Sequence, residues 1–295
     1  MPGVTACATL GWAAFGIEEA LRRIASYGFG KVEITELGAY CRHLPFHSSD
    51  PLEVKDLLSE LALAPAALNV STSRMENGKL LRLVISNPQY TGEVLEYARW
   101  YIDAARVLGA PLASFPIGPR ILDEEAWTVE AGKSSAVFRR MVEEAADAGI
   151  GMNLEVPHLF QLTDSVRHAE RIFEMIDHPN LGATVDSSHW GIIGYNLRRF
   201  LSSLGPRLRH VHLRDSAGED TRDFGQSLEL TPGDGSVDFA AFGEELDGRG
   251  YAGEVTLELE HRRGDLPAIG REFEKAFRHL RGCGWNVPGS THDAA

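Results

Sequence analysis

IGMNLEVPHLFQLTDSVRHAERIFEMIDHPNLGATVD (150–186) decides how this chain folds. It opens on a short apolar run, IGMNLEV (150–156), and closes on another, LGATVD (181–186). Between them lies helix-type periodicity over 164–177, with Thr163-Asp164 as its start signal. Two such runs joined by a helix read as strand, crossover helix and parallel strand. Each run carries one carboxylate near its C-terminal end, Glu155 and Asp186. The next two apolar runs repeat the pattern, with His212 in RHVHL and Glu258 in GEVTLEL. A charged group in a buried strand is expensive unless something pairs with it. Four such residues, one per run, point to a shared metal ion as the partner.

Working outward, eight β-type runs span the chain: 4–10, 31–36, 63–70, 110–117, 150–156, 181–186, 208–214 and 253–260. Helix-type patterns alternate with them at 17–27, 51–62, 91–108, 132–148, 164–177, 196–204, 238–249 and 267–281. Several of these end in glycine, as at Tyr27-Gly28 and Leu108-Gly109, where a left-handed turn is easy. Eight strand–helix units match a (β/α)8 TIM barrel in count and length. A doubly wound sheet also alternates, but no Gly-rich phosphate loop follows the first strand. The expected organisation is a single barrel domain over 1–288 with a disordered tail at 289–295. Long connections at 37–50 and 71–90 would emerge at the C-terminal face of the barrel, where a lid over a small ligand belongs.

Composition narrows the function. The 295 residues are 43% hydrophobic and 24% charged, enough for a sizeable core. No window approaches a membrane span of roughly 20 apolar residues. The N-terminus lacks the pattern of a secretory signal. The three cysteines are widely spaced and read as neither a disulfide framework nor a zinc site, so a cytoplasmic location is expected. A net charge of −13 disfavours a nucleic-acid partner.

The four donors fall at the C-terminal ends of the fifth to eighth strands, which are neighbours in a barrel. Two Glu, one Asp and one His suit a borderline-hard divalent ion. His158 follows Glu155 by three positions and His189 follows Asp186 by three, which places both at the same mouth as substrate or supporting groups. Arg214 ends the seventh strand, as substrate contact or rim ion pair. Glu260 rivals Glu258, since both share one strand face. Glu33 and Glu36, near the end of the second strand, are further candidates for the mouth. Arg42, Arg74 and Arg214 are the obvious cations for a phosphate, too few to favour a phosphorylated substrate. Trp12, Tyr40, Phe46 and Trp190 are candidates for an apolar wall against a sugar face.

Four stretches, NLEVPHLFQLTDS, GATVDSSHW, RHVHLRDS and GYAGEVTLELEH, together with TPGDGSVDF, resemble the sugar phosphate isomerase/epimerase family built on the xylose-isomerase-like TIM barrel. The resemblance implies that Glu155, Asp186, His212 and Glu258 bind one divalent metal. Mn2+ is the first expectation, with Mg2+, Co2+ or Zn2+ as alternatives. The spacing from Tyr251 selects Glu258 over Glu260, and His189 maps to a substrate contact, joined here by His158 and Arg214. It further implies an epimerase or isomerase of a ketose or keto-polyol working through a metal-stabilised enediolate. Glu155 and Glu258 would then be the catalytic pair that removes and returns a proton. Relatives are often oligomeric, so a homo-oligomer is allowed for. Two positions depart from the family's ketose epimerases. Their arginine six residues after the metal-binding His is Gly218 here, and their Asn three residues after the first Glu is His158.

The main alternative is a metal-dependent dehydratase of a keto-inositol or dehydroshikimate-like substrate, which shares the first half of this chemistry. A three-zinc endonuclease would need extra histidines, which Leu68-Asn69-Val70, Ala113-Ser114-Phe115 and 221–235 lack. A non-catalytic sugar-binding barrel has no need of two buried carboxylates facing one ligand.

Overall fold

The computed structural model describes residues 2–218, 228–260 and 264–289. His261 and the expected tail beyond residue 289 lie outside the described residues. Eight parallel strands close into a barrel: β1 (Ala6–Ala8), β2 (Lys31–Glu36), β3 (Ala64–Val70), β6 (Leu112–Ser114), β7 (Gly151–Glu155), β8 (Leu181–Asp186), β9 (Leu208–Leu213) and β10 (Glu254–Leu257). Each lies within one of the eight runs read from the sequence. The barrel is therefore the expected (β/α)8 architecture.

Helices α1 (Ile17–Ser26), α2 (Pro51–Glu60), α3 (Thr91–Leu108), α4 (Glu124–Asp147), α5 (Val166–Ile176), α7 (Leu197–Leu204), α8 (Phe239–Asp247) and α9 (Leu266–Gly282) form the outer layer. Their starts are chemically marked. Asp50, Asp123, Ser165, Asn196, Asp238 and Asp265 each accept a first-turn backbone N–H, supplying partners that helix ends otherwise lack.

Three local readings need correction. First, α4 begins at Glu124, not 132. Asp123 caps it, Glu124 and Glu125 sit in its first turn, and Trp127 and Ala131 are already buried there. Second, α5 is capped by Ser165 rather than Asp164. Asp164 instead pairs with Arg120 at 3.0 Å and with His168 at 2.6 Å. Third, the connection 71–90 contains an antiparallel hairpin, β4 (Ser73–Glu76) with β5 (Lys79–Arg82), and a short helix α6 (Ser187–Ile193) follows β8 directly. No described helix is long and apolar enough to cross a membrane.

The core lies mainly between barrel and helices. The barrel interior itself is unusually polar. Glu33, Asn153, Thr184, His210, His212 and Thr256 are each at most 1% exposed, where many barrels stack branched apolar side chains. Asn153 donates to Thr184 Oγ1 at 3.2 Å, and Thr256 Oγ1 lies 2.9 Å from His210 Nε2. These bonds offset part of the desolvation of the interior groups, while Asn153 Oδ1 and His210 Nδ1 make no hydrogen bond.

Candidate active site

The register of adjacent strands gathers the donors. Asp186 is the Cα partner of His212 across β8 and β9. Glu155 closes β7 and pairs with Thr184 of β8. Glu258 follows β10, where its N–H donates to Leu213 O of β9. All four predicted donors therefore stand on one arc of the C-terminal rim. The ligand atoms of Glu155, Asp186 and His212 lie within 4.8 Å of one another. His212 Nδ1 lies 3.1 Å from Glu258 Oε2 and 4.0 Å from Asp186 Oδ2.

Arg214 runs through the middle of this group. Its Nη2 and Nε lie 2.6 and 2.7 Å from Asp186 Oδ2. The same guanidinium lies 3.3 Å from Glu258, 3.6 Å from Glu155 and 3.3 Å from Glu260. Asp186 Oδ1 accepts from Ser188 N and Ser188 Oγ, both at 2.6 Å, and caps α6. Burial opposes ionisation of Asp186, but the Arg214 charge outweighs it and holds the carboxyl well below the usual range. Glu155 goes the other way: burial and the Asp186 charge push it up to about 8.

A divalent cation suits this set. Glu155 Oε1, His212 Nδ1 and Glu258 Oε2 are buried ligand-type atoms that form no well-aligned hydrogen bond and have one another, Asp186, His189 and the Arg214 guanidinium as charged or polar neighbours. Three orphaned donors from three strands beside Asp186 are what a metal ion would satisfy. Charge points the same way, because one arginine faces several buried carboxylates. Two further triads meet the same spatial test: Glu155, His158 and His189, and Glu33, His210 and His212.

The predicted substrate residues His158, His189 and Arg214 all line one cavity of about 560 Å³, together with Glu155 and Glu258. His189 Nδ1 accepts from Leu159 N at 3.3 Å, and His158 Nδ1 accepts from Phe160 N at 3.2 Å. Accepting at Nδ1 leaves the proton of a neutral ring on Nε2; His189 Nε2 also lies 3.4 Å from Arg214 Nη2. Those Nε2 atoms lie 3.5 Å and 4.0 Å from the Glu155 carboxylate. The two histidines thus offer a pair of N–H donors beside a carboxylate, their ring centroids 4.2 Å apart.

Other expectations fare differently. The hairpin side of the 71–90 connection covers the cavity through Arg82, Leu83, Val84 and Ile85, whereas 37–50 contributes Leu37 alone among its lining residues. Trp12, Tyr40, Phe46 and Trp190 do not line it. Trp12 stacks on Phe273 at 4.5 Å, and Phe46 packs on Tyr97 at 5.0 Å, so both serve the core. Among the described residues, the phenyl rings that line the cavity are Phe115 and Phe160. Of the three arginines considered for phosphate, only Arg214 reaches the cavity; Arg74 is spent on Glu76 and Glu93 at 3.4 and 3.5 Å. Asn69 was missed. It sits in an apolar run as the other site residues do, and that signal was available.

Asp215 explains the TPGDGSVDF segment. Its carboxylate accepts from the N–H groups of Ser216, Gly233, Gly235 and Val237 at 2.8, 2.9, 2.9 and 3.0 Å. The loop is wrapped around this one buried carboxylate, next to Arg214 in the chain.

A closed parallel barrel with clustered acid and imidazole groups at its C-terminal rim defines an enzyme-type barrel. The chain belongs to the xylose isomerase-like TIM barrel family, whose model matches residues 21–283. It is 26% identical over 252 residues to an L-ribulose 3-epimerase of Methylomonas sp. (strain DH-1), covering 84% of this chain and 79% of that one. It is 30% identical over 156 residues to an inosose dehydratase of Geobacillus thermodenitrificans, spanning about half of each chain (48% and 49%). Its fold matches the apo crystal structure of 3-keto-D-glucoside 4-epimerase from E. coli with a TM-score of 0.71 at 20% identity, covering 95% of this chain and 100% of that one.

Proposed function

We propose that this chain is a divalent-metal-dependent sugar isomerase or epimerase acting on a ketose or keto-polyol. The observation that carries the reading is the set of three buried ligand atoms without a hydrogen-bond partner, on Glu155, His212 and Glu258, gathered beside Asp186, with Glu155 and Glu258 lining the cavity. In this reading Glu155, Asp186, His212 and Glu258 hold the ion, with Mn2+ the first candidate for an oxygen-rich set containing one imidazole. When bound, the ion supplies Lewis acidity toward a carbonyl and its neighbouring hydroxyl.

The residues do the rest. His158 and His189 donate Nε2–H bonds to substrate oxygens. Arg214 holds Asp186 ionised and offers its remaining N–H groups to the ligand. Glu155 and Glu258 remove and return the proton on the carbon next to the carbonyl. The likeness to an L-ribulose 3-epimerase supports a sugar substrate. The sparse, unpaired cysteines favour a reducing cytoplasm, and a homo-oligomer is part of the same reading.

Dehydration of a keto-inositol is the second reading, favoured by the identity to an inosose dehydratase. Incubation of the Mn2+-loaded enzyme with ketoses and keto-inositols in D2O separates the two. Epimerisation replaces the hydrogen on the carbon beside the carbonyl by solvent deuterium and gives a product that differs from the substrate only in configuration and in that isotope. Dehydration yields a product lighter by one water. Neither product with any ketose or keto-polyol, or no stoichiometric divalent ion, sinks the proposal.

A further inference from the structure

One buried carboxylate has no part in the scheme above. Glu33, on β2, is 1% exposed and stands inside the barrel below the rim. Its strand is separated from β9 by β1 and β10. The intervening β1 contributes only Ala6, Cys7 and Ala8, so the glutamate can reach across.

Three contacts fix its position. Glu33 Oε2 lies 3.0 Å from His212 Nε2 and 2.8 Å from His210 Nε2. His210 is itself tied to Thr256 Oγ1 at 2.9 Å. Glu33 Oε1 accepts from Asn69 Nδ2 at 3.4 Å, and the same amide nitrogen donates to Glu258 Oε1 at 3.3 Å.

These bonds constrain two of the four proposed ligands. An ionised carboxylate only accepts, so His212 must present Nε2–H to Glu33. That leaves Nδ1 as the nitrogen facing the rim, beside Glu258 Oε2 at 3.1 Å. An amide nitrogen has two hydrogens, one for each carboxylate. Asn69 therefore occupies Glu258 Oε1 and leaves Oε2 turned toward His212. The two atoms freed in this way, His212 Nδ1 and Glu258 Oε2, are among the orphans that define the site.

We propose that Glu33 is the positioning residue of the metal centre: it selects the His212 tautomer that points Nδ1 at the ion and, through Asn69, sets the rotamer of Glu258. This rests on the metal-dependent reading of the rim residues. Glu33 touches neither ion nor substrate, so its effect appears first in metal affinity. Removal of comparable supporting partners weakens metal binding about 10–100-fold.

The test is titration calorimetry with Mn2+ on the full chain, comparing wild type, Glu33→Gln and Thr184→Val. Thr184 is equally buried and hydrogen-bonded in the barrel interior but makes no contact with Glu33 or Asn69 among the bonds above. Glu33→Gln is expected to bind Mn2+ about 10–100-fold more weakly, with Thr184→Val within about twofold of wild type. Equal losses in both variants, or none in Glu33→Gln, overturn the assignment. Absence of Mn2+ binding by wild type overturns the metal reading itself, a distinct result. Should Glu33→Gln fail to fold, histidine 15N–1H spectra of Mg2+-loaded wild type decide. A protected Nε2–H on His212 is expected, and a proton on Nδ1 overturns the proposal.

Discussion

The two arcs of the barrel rim are built for different work. From β7 to β10, every strand carries a donor at its C-terminal end or within one residue of it, and the backbone register puts Asp186 beside His212. From β1 to β6, the rim gives apolar cover from Leu37, the segment after β5 (Leu83, Val84, Ile85) and Phe115, interspersed with polar Asn69, Ser71, Ser73 and Ser114 but with no carboxylate or imidazole among the described lining residues. The donor arc is fixed by strand register and by interior hydrogen bonds. The cover is carried by a hairpin that pairs with no barrel strand. Chemistry is therefore placed where position tolerates least error, and shape where sequence can vary without disturbing the barrel.

The sharpest way to break this division is Glu258→Gln. It keeps the shape of the side chain and the contact with Asn69 but removes a proposed ligand charge and proton carrier. Turnover is expected to fall at least ~1,000-fold, with an unchanged circular dichroism spectrum. Retention of a tenth of wild-type activity would move the catalytic role off this arc. Chelation should likewise abolish turnover, and added Mn2+ should restore it.

Next in size is a stability effect behind the same arc. A Cβ at Gly235 would lie 2.3 Å from both Asp215 Oδ1 and Ser216 O. Neither can retreat, because Asp215 holds four backbone N–H groups. Gly235→Ala should cost about 3 kcal/mol or more by breaking that buried network, measurable as a lowered denaturant midpoint. A loss below about 0.5 kcal/mol would mean the loop is not organised by Asp215.

The donor arc was also the legible one. Glu155, Asp186, His212 and Glu258 stand out because a charged group in an apolar run violates the pattern around it, and strand order then makes them neighbours. The eight strands were legible for a related reason, since each is a short apolar run bounded by turns. The hairpin at 73–82 was not, because STSRMENGKLLR lacks the alternation of a half-buried strand; its β5 face is largely exposed. The start of α4 was hidden by the same local weakness, a capped polar first turn with few apolar positions. Glu33 and Asn69 stand out as polar positions in apolar runs, but the partners that give them their roles meet across the barrel interior, which no spacing along the chain encodes.

On the cover side, Glu36 at the end of β2 carries a pH signature. Burial pushes its carboxyl up to about 7, although Leu44 N–H donates to it at 3.0 Å. In the unfolded chain the group ionises near its ordinary value, so between that value and 7 the folded state binds more protons. Stability from this group is therefore present at low pH and lost as pH rises through 7, by at most about 3–4 kcal/mol. Glu36→Gln should unfold at a higher temperature than wild type at pH 8, with the advantage shrinking toward pH 5. A constant difference across that range would mean that Glu36 ionises normally in the fold.

The smallest effect tests the cover directly. Val84 lines the cavity yet is 41% exposed, next to Leu83 and Ile85 at 2% each. Its neighbours anchor the segment, so Val84 is free to act on the ligand. Val84→Ser removes apolar surface worth roughly 1 kcal/mol of contact with a bound sugar. A rise in KM of about threefold to fivefold is expected, with kcat and Mn2+ affinity unchanged. If kcat falls instead, the cover takes part in the chemistry and the two arcs are not separate devices. If nothing changes, the ligand sits wholly against the donor arc, and the hairpin only shields it from water.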